Sequence, residues 1–324
     1  MDGPPAWLST PELSEQLLSK NDYFLLAGSL IQQGLVDASA CSAGGLESSG
    51  AANACGMEAA RPVVEDWQNQ FDSEIVRVAQ DSGVPAQLMK NIFSRESQFW
   101  PGIYDRVQEA GLGHLSDLGA DAVLLWNPSF FSQFCPLVLA EGTCQKGFGN
   151  LDLSQQEMLR GALVQKVNAS CPDCPVGIDL TQANFSISIF ARSLLANCEQ
   201  VGQIIYNSTG WPAGRVAGYE DLWKFTLLNY NAGSGCLANA MQRAINAGLP
   251  LTWGNVSAYL EPVCQSGIEY VEDVSTVAAE ETRVSDLLAT PEAPAYQPTP
   301  TPQATPTPLP QTTGTPTLVP TSYP

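Results

Sequence analysis

The sequence predicts an all-α fold. Apolar residues recur at helical spacing in successive segments, and glycine or proline stands where those segments end. No stretch shows the apolar–polar alternation of a half-buried strand, and no internal repeat is present.

Residues 1–61 are read as an N-terminal helical extension, with a helix pair around Pro11–Lys20 and Asp22–Gln33. A small-residue stretch holding Cys41 and Cys55 follows, and Arg61-Pro62 opens a different texture. In 65–80, Trp67, Phe71, Ile75 and Val78 recur at spacings of four, four and three, which predicts one amphipathic helix. Ser82-Gly83 stops it, and Pro85 suits the first turn of the next helix. That helix, about 85–98, carries an apolar stripe of Leu88, Met89, Ile92 and Phe93, and Glu96 continues the same face. A glycine-rich turn, Glu109-Ala-Gly-Leu-Gly-His-Leu115, comes after it. Residues 116–177 read as an insertion with scattered glycines, prolines and four cysteines, and with one clear helix over 154–166.

Helical texture returns at 180–197, where Phe185, Ile189 and Leu195 mark a core face. Residues 219–230 are apolar nearly all round (Leu222, Trp223, Phe225, Leu227 and Leu228), as expected of a central helix ended by Gly233. Helices at 237–247 and 268–274 complete a domain assigned to 62–274. Residues 275–324 are read as a linker and tail. From Pro291 onward almost every residue is Pro, Thr or small, too few large apolar groups to offset the entropy of ordering, so the tail is expected to be extended and disordered.

Composition excludes several function classes. The formal charge of −19, with only 14 Lys and Arg, argues against a nucleic-acid binder and against adsorption to anionic lipid. No run of apolar residues is long enough to span a bilayer. The nine cysteines point to an oxidising compartment, outside the cell or in its envelope. Cys41 with Cys55 and Cys135 with Cys144 are short-loop pairing candidates, but spacing leaves the connectivity open. Cys171-Pro-Asp-Cys174 also fits a zinc or redox half-site, a weak signal because His114 is the sole histidine. No cofactor or metal is expected. The N-terminus, MDGPPAWLST, shows no basic-plus-apolar leader, so the expectation of secretion rests on the cysteines and the tail.

Chemistry concentrates in four ordered pieces. They are the helix ending Ser94-Arg-Glu96-Ser97, the turn Ala110-Gly111-Leu112-Gly113-His114-Leu115, the segment Asn229-Tyr230-Asn231-Ala232-Gly233, and Glu269-Tyr270-Val271. Together they resemble the lytic transglycosylases of the soluble-lytic-transglycosylase type, over about 62–274 with the insertion interrupting. The resemblance implies a lysozyme-like multi-helix domain that binds peptidoglycan glycan strands and cuts the MurNAc–GlcNAc β-1,4 bond. It implies a single catalytic acid/base, Glu96, and 1,6-anhydro-muramyl products. Ser97 would bond near the sugar or brace the turn, and Gly111, Leu112 and Gly113 would let backbone approach the glycan. Tyr230 would orient Glu96, and Asn231 would tie the helix end to the cleft floor. His114 and Leu115 stand where the family usually has glutamine and methionine, so His114 is read as a subsite or structural residue. A glutamate ending an apolar stripe has a physical reason to stay protonated. Asp105, Glu109 and Asp117 flank the turn and could supply a second carboxylate, but they are read first as a solvated rim; Trp100 and Trp126 are read as sugar-stacking or core residues. Two alternatives stand beside this reading: a lysozyme-type hydrolase that uses a second carboxylate, and a non-catalytic glycan-binding module.

Overall fold

The computed structural model describes residues 3–103 and 109–286, with side chains described to residue 276. The Pro/Thr-rich segment expected to be disordered and Asp105 lie outside the described residues. The described chain is helical, and its extended pairs are isolated bridges at Leu46 with Ala52, Ala110 with Leu115, and Ser170 with Ile178. The helices in chain order are α1 (Phe24–Gln32), α2 (Ala54–Asn69), α3 (Asp72–Ser82), α4 (Ala86–Ser97), α5 (Asp117–Trp126), α6 (Pro128–Phe134), α7 (Glu141–Cys144), α8 (Leu153–Val167), α9 (Leu180–Thr209), α10 (Ala213–Val216), α11 (Tyr219–Ala232), α12 (Ser234–Asn246), α13 (Trp253–Ser257) and α14 (Ser266–Asp286).

Helix α4 is the centre of the larger core. Every residue from Ala86 to Phe93 is buried, polar ones included. It packs on α3 and α14 and beneath the 3-10 turn Ala6–Leu8. Its first turn would leave backbone N–H groups unpaired, and the N-terminal segment satisfies two of them: Ala86 N donates to Thr10 Oγ1 at 3.1 Å and Gln87 N to the Ser9 carbonyl at 3.0 Å. Lys90 is buried against both Asp72 oxygens at 2.8 Å, with Asn69 Oδ1 at the same distance and the Leu17 carbonyl also accepting. Asn91 Nδ2 donates to the Val274 carbonyl of α14 at 2.8 Å and accepts from Gln87.

The structure corrects several boundaries. The division at 61/62 falls inside α2, whose Pro62 is an interior residue. Pro62 and Glu58 are both exposed, so water can reach the carbonyl that proline leaves without an N–H partner. Residues 1–61 are not a separate extension: Trp7, Leu8, Leu17, Tyr23 and Leu26 share one core with Phe93, Phe225 and Tyr270. The first member of the helix pair is only the 3-10 turn Ser14–Leu17. The single amphipathic helix expected over 65–80 is two helices broken between Asn69 and Asp72, where Asn69 and Gln68 bond the Ser19–Asn21 strand of chain instead of continuing the run. The boundary at 274/275 falls inside α14.

The insertion forms a second core, with Val123, Leu124, Phe130, Phe131, Phe134, Phe148, Leu159 and Leu163 closing over Ile189 of α9. Helix α9 therefore serves two cores, since Ile187, Phe190 and Leu194 face the first. Phe185, expected on the core face, is 47% exposed. Four disulfides join Cys41–Cys55, Cys135–Cys144, Cys171–Cys174 and Cys236–Cys264, leaving Cys198 as a thiol. The expected short-loop pairs form, and Cys171 and Cys174 bond to each other. No helix of the described residues is long and apolar enough to cross a membrane.

Lys90→Met would leave the Asp72 carboxylate buried without its cation. It should lose roughly 3–5 kcal/mol of unfolding free energy in urea denaturation. The double variant Lys90→Met/Asp72→Leu should recover most of that loss. A single variant as stable as the wild type would show that the pair does not constrain the core.

Candidate functional site

Glu96 lies in the last turn of α4 with its side chain 19% exposed. Immediately after it the chain reverses through two left-handed non-glycine residues, Gln98 (φ 47°) and Phe99 (φ 64°). Such backbone costs energy and needs outside support. Gln98 Oε1 accepts from Leu25 N at 3.0 Å, capping the start of α1 from a distance. The Phe99 ring is fully buried, and its carbonyl accepts from Trp67 Nε1 at 2.9 Å. This reversal holds the end of α4 at the surface while its body stays enclosed.

The glycine turn docks against that end. Ala110 and Leu115 pair through their backbones, and His114 N donates to the Gly111 carbonyl at 3.1 Å. Gly111 has φ +78°, a left-handed position that only glycine takes without strain. Gly113 meets a different demand: a Cβ there would lie 2.1 Å from the Phe190 ring. Ser97 Oγ donates to the Leu112 carbonyl at 2.7 Å, so Ser97 braces the turn. Tyr230 hydroxyl donates to the Gly113 carbonyl. Gly111, Leu112 and Gly113 are buried under protein, so the missing side chains admit Phe190 and Val167, where the sequence reading expected a glycan.

The turn delivers His114 to Glu96. His114 is itself left-handed (φ 47°), and its Nδ1 lies 3.8 Å from Glu96 Oε2. Glu109, at the turn's entry, brings Oε2 to 4.0 Å from the same nitrogen. The other oxygen of Glu96, Oε1, accepts from the Tyr270 hydroxyl of α14 at 2.6 Å. The hydroxyl that orients Glu96 is therefore that of Tyr270, while Tyr230 is spent on the turn. The two rings sit 6.3 Å apart, and Tyr230 continues edge-on to Phe190, so an aromatic file links the turn to α14. Asn231 is exposed on α11. The buried asparagine of that helix is Asn229, which donates to Asn197 and Gln200 at 2.8 Å.

Electrostatics follow from this packing. Burial is the largest effect on Glu96 and raises its pKa; the Tyr270 bond opposes it, the nearby charge of Glu109 adds to it, and Arg95 opposes it weakly. Arg95 points elsewhere, pairing with Asp273 at 3.0 Å. Burial lowers the pKa of His114 and pushes the phenols of Tyr230 and Tyr270 well up. The arrangement is a protonatable carboxyl with one oxygen occupied by a phenol and the other turned toward an imidazole and a second carboxylate. No group of three or more His, Cys, Asp or Glu side chains suited to a metal occurs among the described residues. Trp100 is buried and stacked on Trp67 at 5.7 Å, hence core. Trp126 lines a cleft of about 470 Å³ with Leu195 and Cys198, and none of the Glu96 cluster borders it.

The sequence assigns Tyr270 no role of its own, because nothing in an apolar helical segment tells which of its side chains meets Glu96. It singles out Glu109 only as one of three acidic residues by the turn, and closure of the turn is what brings Glu109, rather than Asp117, beside His114.

The raised pKa has a consequence for stability. An unfolded glutamate titrates near ~4.3, and folding holds the Glu96 proton to higher pH. The group's contribution to stability is thus fully present below the unfolded value and is lost as pH rises through the folded one. Glu96→Gln should unfold at higher denaturant concentration than wild type at about pH 8, with the difference vanishing near about pH 4. Equal midpoints at both pH values would contradict a buried, proton-holding Glu96.

Comparison with protein-family models, with curated proteins and with solved structures found no match for this chain.

Proposed function

We propose that the chain is a glycosidase of peptidoglycan glycan strands, a lytic transglycosylase in which Glu96 is the acid and then the base. The observation that supports it best is the geometry of one carboxyl: buried enough to keep its proton, 19% exposed so that substrate can reach it, and fixed through Oε1 by Tyr270. The ordered motifs around it supply the substrate class, and the acidic surface suits a sugar polymer better than a polyanion. Four disulfides are compatible with work outside the cell.

With Oε1 accepting from the phenol, the acid proton resides on Oε2, which faces His114. Oε2 gives this proton to the glycosidic oxygen as the bond to the muramyl anomeric carbon breaks. The resulting carboxylate takes the proton of the sugar's own 6-hydroxyl, whose oxygen bonds the anomeric carbon and closes the 1,6-anhydro ring. That attack is intramolecular, so it competes with water through proximity. The Tyr270 bond strengthens when Glu96 becomes charged, and so favours the transition state over the resting acid.

Glu96→Gln should lower release of soluble fragments from purified peptidoglycan about 10²–10⁴-fold while the protein stays folded. Full activity in that variant would remove Glu96 from the role. Mass spectrometry of the wild-type products should show anhydro-muramyl ends. Binding to insoluble peptidoglycan without any fragment release would instead favour a non-catalytic glycan-binding module. Tyr270→Phe removes one hydrogen bond to a charged group, roughly 1.5–3 kcal/mol, so kcat should fall about 10–100-fold with KM little changed. A fall confined to KM would assign Tyr270 to substrate binding.

A further inference from the structure

The sequence alone does not choose a second carboxylate among the acidic residues by the glycine turn. The fold supplies one. Glu96 Oε2 and Glu109 Oε2 approach the same atom, His114 Nδ1, at 3.8 and 4.0 Å, so the two oxygens stand at most about 8 Å apart. Paired glycosidase carboxyls stand roughly 5–5.5 Å apart in retaining enzymes and roughly 6.5–9.5 Å apart in inverting ones, and this bound admits either. What separates the roles here is exposure. Glu96 is 19% exposed and Glu109 is 43% exposed, so water reaches Glu109 more readily.

We propose that Glu109 is a second catalytic carboxylate, a general base that activates water and gives this site a hydrolytic branch beside the anhydro-forming one. The inference rests on the glycosidase reading of Glu96. In this branch Glu96 donates its proton to the glycosidic oxygen, and the bond from that oxygen to the anomeric carbon breaks. Water attacks the same carbon while Glu109 accepts one of its protons. The products are a free 4-hydroxyl on one sugar and, on the other, a reducing end carrying the water oxygen. Glu96 is left as a carboxylate and Glu109 as an acid. Glu109, 43% exposed, gives its proton to solvent and Glu96 regains one from solvent, which resets the cycle.

The test is digestion of purified peptidoglycan in oxygen-18 water, with anhydro ends and labelled reducing ends counted in the same mass spectrum. Wild type should give both. Glu109→Gln should lower the ratio of labelled to anhydro ends about tenfold or more. Both products come from the same folded molecules, so the ratio is independent of how much of the variant folds. Asp117→Asn, a change to an exposed carboxylate on the same rim, should leave the ratio at its wild-type value. Anhydro ends alone from wild type would overturn the role of Glu109 and leave that of Glu96 standing. A ratio unmoved by Glu109→Gln, or lowered equally by Asp117→Asn, would also overturn it. No fragments of either kind would overturn the glycosidase reading and this inference with it.

Discussion

The structure depends on one constraint: α4 is enclosed almost all round yet carries polar side chains along its length. A buried polar group without a partner costs on the order of 1–3 kcal/mol. Each such residue on α4 therefore fixes a neighbour. Lys90 ties it to α3 through Asp72, Asn91 to α14 through the Val274 carbonyl, and Ser94 to Tyr23 at 2.7 Å. Ser97 ties it to the glycine turn and Gln98 to the start of α1. These bonds leave the helix little freedom to slide or rotate. Glu96, in its last turn, inherits that rigidity without needing a loop of its own.

The same bookkeeping explains why the turn is shaped as it is. Its carbonyls at Leu112 and Gly113 accept from Ser97 and Tyr230, and the bare Cα of Gly113 lets Phe190 close beneath it. The glycines serve the protein interior. What the turn presents to Glu96 is the side chain of His114, held on a left-handed residue with Glu96 and Glu109 each within 4.0 Å of Nδ1. A turn built to expose backbone to a ligand would have the reverse arrangement.

Much of this was legible in the sequence, and the misses share a physical cause. Helical periodicity locates α4 and the buried positions of α3, because a buried apolar stripe must follow the helical repeat, and an all-round apolar run locates the central α11. Glu96 is legible for the same reason, as a carboxyl at the end of such a stripe. Periodicity fails where tertiary bonds override local preference. Gln68 and Asn69 break the run at Phe71 to hold residues 19–21, and Pro62 is tolerated because the carbonyl it orphans meets water. The resemblance implies Tyr230 as the partner of Glu96 whereas the fold brings Tyr270 to it, a difference the sequence hides because both tyrosines sit in apolar helices. Only the crossing of α14 and α11 decides which hydroxyl reaches the carboxyl. That crossing is close: a Cβ on Gly267 would lie 2.5 Å from Leu228.

The chemistry of the cluster follows from unequal surroundings imposed on similar groups. Glu96 and Glu109 are the same residue, separated by the helix end and the turn. One is pressed into the core with a phenol on one oxygen, and the other is left nearly half open to water. Negative charge on Glu109 makes it harder for Glu96 to ionise, so the exposed group helps to keep the buried one protonated. Burial disfavours the cation of His114, so a neutral imidazole stands within 4.0 Å of both glutamates and leaves the proton of Glu96 in place. The turn's left-handed backbone at position 114 places the ring there, so the strain at that residue is the structural cost of setting an imidazole beside the two acids.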